Sequence, residues 1–191
     1  MQQIDHAIFR WINQWPDFVF PLFYGLSEGN KWLGVRIFLL VFLVFCLSRP
    51  KLRVPVVLAI LAFPLANEVC DLLKNGLMMP RPSVDFPEAI VRVNRLTSFG
   101  TASAHSANMM AVATAFLIYA RPWGWGWFVV AILTGISRVY VGVHYPYQVL
   151  FGWLVGAGVA FGLAQIWELI KKRRGLRNED HDDQIPESSA V

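Results

Sequence analysis

Five stretches of this chain are each apolar enough to sit as a helix in lipid, and that restricts the fold before any single residue is considered. They cover about 32–48, 54–75, 103–120, 123–141 and 146–170. Crossing the hydrocarbon core as a helix takes roughly 20 mostly apolar residues. Only helices and closed barrels satisfy their peptide groups there. Barrel strands alternate apolar and polar positions, whereas runs such as "WLGVRIFLLVFLVFCLS" are continuous. The 191 residues are 55% hydrophobic and only 16% charged, outside the balance of a soluble domain. The predicted fold is all-α: a polytopic transmembrane helical bundle with five clear spans, preceded by an N-terminal interfacial or short sixth helix.

The flanks divide the chain further. In "IDHAIFRWINQW", Ile4, Ile8, Trp11, Ile12 and Trp15 recur at helical spacing, with Asp5, Arg10, Asn13 and Gln14 between them. That pattern predicts a helix lying at the membrane surface. Residues 17–27 are apolar but short and interrupted by Pro21, so they either dip into the bilayer or form a short extra span. The expected organisation is an N-terminal part over 1–30, a transmembrane core over 31–172 and a polar, disordered cytoplasmic tail over 173–191. The start, "MQQIDHAIFR", does not read as a cleaved signal peptide. Cys46 and Cys70 both lie in apolar runs and are read as buried small hydrophobes with no disulfide.

Charge gives an orientation. The net +4 comes from basic residues beside apolar runs, which excludes a nucleic-acid reading. Arg49, Lys51 and Arg53, then Arg121, then Lys171, Lys172, Arg173, Arg174 and Arg177 fall in alternate connections. The positive-inside rule places all three groups in the cytoplasm. The segment 76–102 and the turn near 142–146 then face outward.

Hydrogen-bonding and charged residues gather at that outer end, where they are costly beside lipid. Lys74 and Arg81 flank "KNGLMMPRP", Ser103 and His105 sit in "TASAHSAN", and Arg138 and His144 sit in "SRVYVGVHYPYQ". Arginine clamps oxyanions through two hydrogen bonds, and lysine supplies a point charge. Two predicted helices begin at the same place, with free N–H groups facing out. These features point to a phosphate site. A pair of histidines adds chemistry, since one attacks phosphorus while the other protonates the leaving oxygen. No HExxH or cysteine cluster suggests a metal or other cofactor. Three cations suffice for the charge on the phosphoryl oxygens.

These residues resemble the type 2 phosphatidic acid phosphatase (PAP2) family of membrane lipid phosphatases. That family's signature is Lys, six residues, Arg-Pro; then Pro-Ser-Gly-His; then Ser-Arg, five residues, His, three residues, Asp. This chain matches at Lys74, Arg81 and Pro82, at Ser103 and His105, and at Ser137, Arg138 and His144, over about residues 54–165. The resemblance implies His144 as nucleophile through a phosphohistidine and His105 as general acid, then base. It implies Lys74, Arg81, Ser103, the N–H of Ala104 and Arg138 as phosphate ligands. It also implies a lipid phosphate substrate held in the bilayer, at the outer face of a bacterial cytoplasmic (inner) membrane. Substrates known for the family are undecaprenyl diphosphate, phosphatidylglycerol phosphate, phosphatidic acid and lipid A phosphates.

Three positions depart from the signature. Ala102 replaces proline, Ala104 replaces glycine, and Gln148 replaces the aspartate that orients the attacking histidine. A glutamine carbonyl accepts the Nδ1 proton and fixes the tautomer, but lacks the charge that stabilises an imidazolium. Glu68 and Asp71 are candidate substitutes for that acid. Arg92 and Arg95 are candidate head-group contacts, or otherwise solvated charges. Two rival readings follow: a catalytically silent phospholipid-binding member, favoured by Gln148, and a small transporter, disfavoured because the charges gather at one end.

Overall fold

Small residues recur every fourth position on the last apolar run: Gly152, Gly156, Ala160 and Ala164. Positions four apart share one face of a helix, so this face lets another backbone come close. In the computed structural model, which describes residues 2–96 and 98–175, that run is one helix in an all-helical chain. The helices are α1 (Gln2–Asn13), α2 (Phe20–Glu28), α3 (Leu33–Ser48), α4 (Pro50–Leu77), α5 (Pro82–Asp85), α6 (Ala104–Tyr119), α7 (Arg121–Tyr140) and α8 (Pro146–Arg173). Among the described residues there is no strand. Proline opens α4, α5 and α8, where its missing N–H costs nothing.

The glycine–alanine face of α8 packs against α6 and α4 in layers. Ala66 of α4 and Ala107 of α6 are fully buried in one layer, and the backbone of Ala107 passes directly under Gly156. Ala62, Ala111 and Ala160 form the next, followed by Ala59, Ala115 and Ala164 with Leu58. A β-carbon on Gly156 would stand 2.0 Å from the Ala107 carbonyl oxygen, and one on Gly152 2.5 Å from that of Ser103. Where both lipid and partner are apolar, such close backbone packing is a main source of helix association. Larger apolar side chains point away: Ile37, Phe38, Leu40, Val41 and Val44 of α3 and Leu150, Leu154 and Phe161 of α8 are exposed. A surface this apolar marks a membrane protein.

Each predicted apolar run forms a helix, with ends within a few residues of those expected. Length and apolarity qualify two stretches to cross a membrane unaided, Pro50–Asp85 and Pro146–Arg173. A third candidate is the pair Asp17–Lys31 and Leu33–Ser48, bent by 73°. Within that pair α2 has nine residues, a rise of about 13 Å, too short to span alone. α8 continues to Arg173, one residue into the stretch expected as tail. From 176 onward the tail lies outside the described residues.

The N-terminal helix corrects one expectation. α1 buries Phe9 and Ile12 but leaves Ile4, Ile8 and Trp11 exposed, and it buries Asn13, which was read as part of the polar face. Asn13 Nδ2 donates to the carbonyls of Ile90 and Tyr140, each at 2.9 Å, while its Oδ1 accepts from Ile90 N at 2.8 Å. A buried amide here satisfies peptide groups at the end of α7 and in the outer connection. Asp5 Oδ1 accepts from Tyr147 N at 2.9 Å at the start of α8, where a carboxylate meets free helical N–H groups. Thus α1 sits over the end of the bundle at which α8 begins.

The α6–α8 seam yields a paired test. Gly156→Ala is expected to lower the unfolding temperature in detergent by several degrees, since overpacking costs roughly 1–3 kcal/mol. Gly158→Ala, where nothing lies within 4 Å of the added carbon, is expected to leave it unchanged or slightly raised.

Candidate functional site

Three separated segments are tied together by backbone hydrogen bonds where α4 ends and α6 and α8 begin. Met78 closes α4 in the left-handed region, with φ of 48°, and turns the chain back. Met79 N then donates to Thr101 Oγ1 at 3.2 Å, and Gly100 N donates to Met79 O at 2.8 Å. Ser103 caps α6, its Oγ accepting from Ser106 N at 3.4 Å, while its own N–H donates to Gln148 O at 3.0 Å. Past α7, Gly142 adopts φ of 81°, and Val143 N and His144 N both donate to Arg138 O at 3.2 Å. His105, His144, Arg81 and Lys74 are therefore carried to one end of the bundle.

His144 is buried and bonded through both ring nitrogens. Nδ1 lies 3.1 Å from Gln148 Oε1, and Nε2 lies 2.9 Å from Arg81 Nη1. Arg81 only donates, so Nε2 accepts. The Gln148 amide cannot be turned over. Its Nε2 faces the Pro80 carbonyl at 2.7 Å, and its Oε1 also accepts from Tyr145 N at 3.1 Å. Reversal would set two acceptors together at Pro80 and two donors together at Tyr145. Oε1 therefore faces Nδ1, and the ring carries its proton on Nδ1 with the Nε2 lone pair toward the arginine. Burial, reinforced by Arg81 and Arg138, pushes the His144 pKa well below the usual histidine value.

The cations differ in how they are held. Arg81 spends every nitrogen: Nε on Ser98 O at 2.6 Å, Nη2 on Ser98 Oγ at 3.1 Å, and Nη1 on Val143 O at 3.0 Å as well as on His144. Arg138 is buried and ion-paired to Glu28 Oε1 at 3.1 Å. Lys74, mostly buried, pairs with the exposed Asp71 at 2.7 Å. Asp71 is thereby engaged away from His144, and Glu68 is exposed; neither carboxylate touches the ring, whose Nδ1 partner is the neutral Gln148. His105 stands in the first turn of α6 beside Ala104, and the charges that act on its ring are Arg138, Glu28, Lys31 and Lys74. Among the described residues no three His, Cys, Asp or Glu side chains converge as a metal group would need.

Arg92, read as a candidate head-group contact or otherwise a solvated charge, is held by the protein's own groups. Its Nη1 donates to Asn13 O at 2.8 Å and Tyr140 O at 2.9 Å, and its guanidinium lies over the Tyr140 ring. It is a strut between α1, α7 and the long outer connection. Arg95 is exposed. Residues that sequence reasoning missed are Ser27 and Glu28, which reach Arg138 across 111 and 110 positions, and Ser98, which holds Arg81. Gly100 was missed too: a β-carbon there would stand 2.7 Å from Gln148 Oε1 and 2.8 Å from Arg81 Cγ. No local pattern marks the first three, and a lone glycine reads as an ordinary turn.

The described residues thus form an all-helical bundle with a highly apolar surface, in which a buried imidazole, held by Gln148 and Arg81, lies where α4 ends and α6 and α8 begin. The chain belongs to the PAP2 superfamily, whose profile matches residues 52–172, well over half of it. It is 27% identical over 136 residues to the undecaprenyl-diphosphatase of Sulfolobus acidocaldarius, covering 71% of this chain and 63% of that protein. It is 27% identical over 140 residues to the bacitracin transport permease protein BcrC of Bacillus licheniformis, covering 71% and 66%. The match thus spans just under two thirds of both relatives. Among solved structures, it is similar to a transmembrane PAP2 type phosphatidylglycerolphosphate phosphatase from Bacillus subtilis. There the TM-score is 0.66 and the identity 25%, over 89% of this chain and 87% of that one. LpxE of Aquifex aeolicus gives a TM-score of 0.64 at 26% identity, over 81% and 91%.

The His144 environment carries a pH prediction. A histidine whose pKa falls on burial binds fewer protons folded than unfolded, so its contribution to stability is present above about pH 6.5 and is lost as the pH falls below it. Histidine ¹⁵N NMR is expected to show His144 uncharged, with the proton on Nδ1, at pH 6.5 and well below. In Gly100→Ala, which wedges the Gln148 amide, the two tautomers are expected to mix.

Proposed function

We propose that this protein is an integral membrane phosphatase that hydrolyses a phosphomonoester or diphosphate lipid through a phosphohistidine. The observation that carries the reading is His144 itself, held by Gln148 as the Nδ1–H tautomer, with its Nε2 lone pair turned toward the Arg81 guanidinium. In the proposed first step, Nε2 attacks phosphorus, a P–N bond forms and the P–O bond to the lipid breaks. His105 gives its proton to the departing oxygen. In the second step His105 takes a proton from water, whose oxygen attacks phosphorus, and the P–N bond breaks to release inorganic phosphate. Lys74, Arg81, Arg138, Ser103 and the Ala104 N–H hold the phosphoryl oxygens, and no metal takes part. Arg81 exchanges its hydrogen bond with Nε2 for one with the phosphate when substrate arrives.

Gln148 acts in this scheme as a neutral positioning residue. It keeps the tautomer and accepts from Nδ1 throughout, without the charge of a carboxylate. The proposed topology has five spans, α3, α4, α6, α7 and α8, after an N-terminal part over 1–30 of interfacial or short membrane helices, with the tail from 173 in the cytoplasm. The site then opens at the outer face of a bacterial cytoplasmic membrane, so that the lipid tail stays in the bilayer. Names of the similar proteins support undecaprenyl diphosphate and phosphatidylglycerol phosphate as first substrates to try, ahead of phosphatidic acid and lipid A phosphates. The second reading, a silent phospholipid-binding member, is favoured by the neutral side chain at 148.

The two readings separate on phosphate release from that lipid panel by the detergent-purified protein in EDTA. Turnover is expected, with vanadate inhibiting as a mimic of five-coordinate phosphorus. His144→Ala is expected to lose roughly 10³-fold or more of the rate together with the acid-labile phosphoenzyme. Head-group binding with no release above background from any of the lipids identifies the silent protein instead.

A further inference from the structure

Arg138 lies inside the family-matched stretch, but the groups that hold it come from outside it. Its side chain is 3% exposed. Nη1 donates to three acceptors at the end of α2: Ser27 O at 3.3 Å, Ser27 Oγ, and Glu28 Oε1 at 3.1 Å. Ser27 Oγ in turn donates to Glu28 Oε1 at 3.2 Å. Nε, by contrast, is buried without a partner. Among the described residues no hydrogen bond engages Nη2 either, so the whole Nε–Nη2 edge of the guanidinium is left over. That edge presents two parallel N–H groups, the fork that matches two oxygens of a phosphate or carboxylate. A buried unpaired donor is costly unless a ligand satisfies it.

The carboxylate that could fill this fork is held away from it. Glu28 is itself buried, and its second oxygen, Oε2, is taken by Lys31, whose side chain is mostly exposed. Glu28 thus bridges two cations, touching Arg138 end-on at Nη1 rather than side-on. The ion pair fixes the plane of the guanidinium and lowers the local positive charge without occupying the Nε–Nη2 edge.

We propose that Glu28, assisted by Ser27, is the positioning residue for Arg138: the end of α2 grips Nη1 so that the Nε–Nη2 edge clamps two phosphoryl oxygens side-on. The assignment rests on the phosphatase reading above, with Arg138 as a phosphate ligand. It makes residues 27–31 part of the site and gives α2, too short to span, a reason to fold back against α7.

The test reads phosphate affinity apart from turnover. Inorganic phosphate and vanadate are titrated into the detergent-purified full chain by calorimetry. Glu28→Ala is expected to weaken both by roughly tenfold and to raise KM more than it lowers kcat, the size expected of directly coupled groups. Glu28→Gln, which keeps the Oε1 acceptor, is expected to recover most of the affinity. In an Arg138→Lys background Glu28→Ala is expected to add nothing, because Nη1 is gone. Equal or tighter phosphate binding by Glu28→Ala overturns the proposal by making the carboxylate a bystander or a competitor. A loss that persists undiminished in the Arg138→Lys background overturns it as general destabilisation. Should Glu28→Ala fail to fold, Ser27→Ala, which removes another acceptor from Nη1, is carried through the same cycle. If the wild-type protein releases no phosphate from any lipid, the phosphatase reading fails while the affinities still decide the role of Glu28.

Discussion

The site depends first on how closely three backbones approach. Where α4, α6 and α8 come closest, glycine and alanine stack in layers: Ala66 and Ala107 beside Gly156, then Ala62, Ala111 and Ala160, then Ala59, Ala115 and Ala164. Lipid chains are as apolar as leucine, so hydrophobicity alone gives these helices no reason to pair inside a bilayer. Close packing supplies it, through dispersion contacts that a larger side chain would prevent. The same closeness puts Ser103, at the start of α6, against Gln148, at the start of α8, joined by a backbone hydrogen bond of 3.0 Å.

On that frame the polar end is built by mutual satisfaction. Gln148 uses its amide on four partners: the His144 ring, Tyr145 N, Pro80 O and the Tyr147 hydroxyl. Each fixes the others, because donors must meet acceptors and the surroundings exclude water. A glutamine where relatives of this signature carry an acid is therefore not a simple loss. The Pro80 carbonyl at 2.7 Å calls for a donor, which an ionised carboxylate does not have. The neutral amide ties the segment before Arg81 to the ring of His144, whose pKa burial pushes well below the usual histidine value.

Helical positions were legible because apolar runs report span length directly, and the predicted ends of α6, α7 and α8 fall within a few residues of those observed. The three motifs were legible because their spacing is local. Asn13 was misjudged because its place on the polar side of an amphipathic pattern says nothing about carbonyls 77 and 127 positions away. Glu28 escaped for the same reason: its partner is 110 residues distant, and no periodicity connects them. Arg92 read as a surface charge because arginine near an interface commonly is one, yet two backbone carbonyls and the Tyr140 ring claim it.

The sequence by itself determined that the chain folds as apolar helices and that its histidine- and arginine-bearing motifs collect at one end of them. Both follow from local composition: how many consecutive residues lipid accepts, and which residues stand at the breaks. Only the tertiary structure decided which cations are held and by what, which nitrogen of His144 carries the proton, and that α2 reaches Arg138. Those facts depend on hydrogen bonds between residues far apart in the chain. A buried donor takes whichever acceptor the packed helices bring to it, and that choice is made in three dimensions.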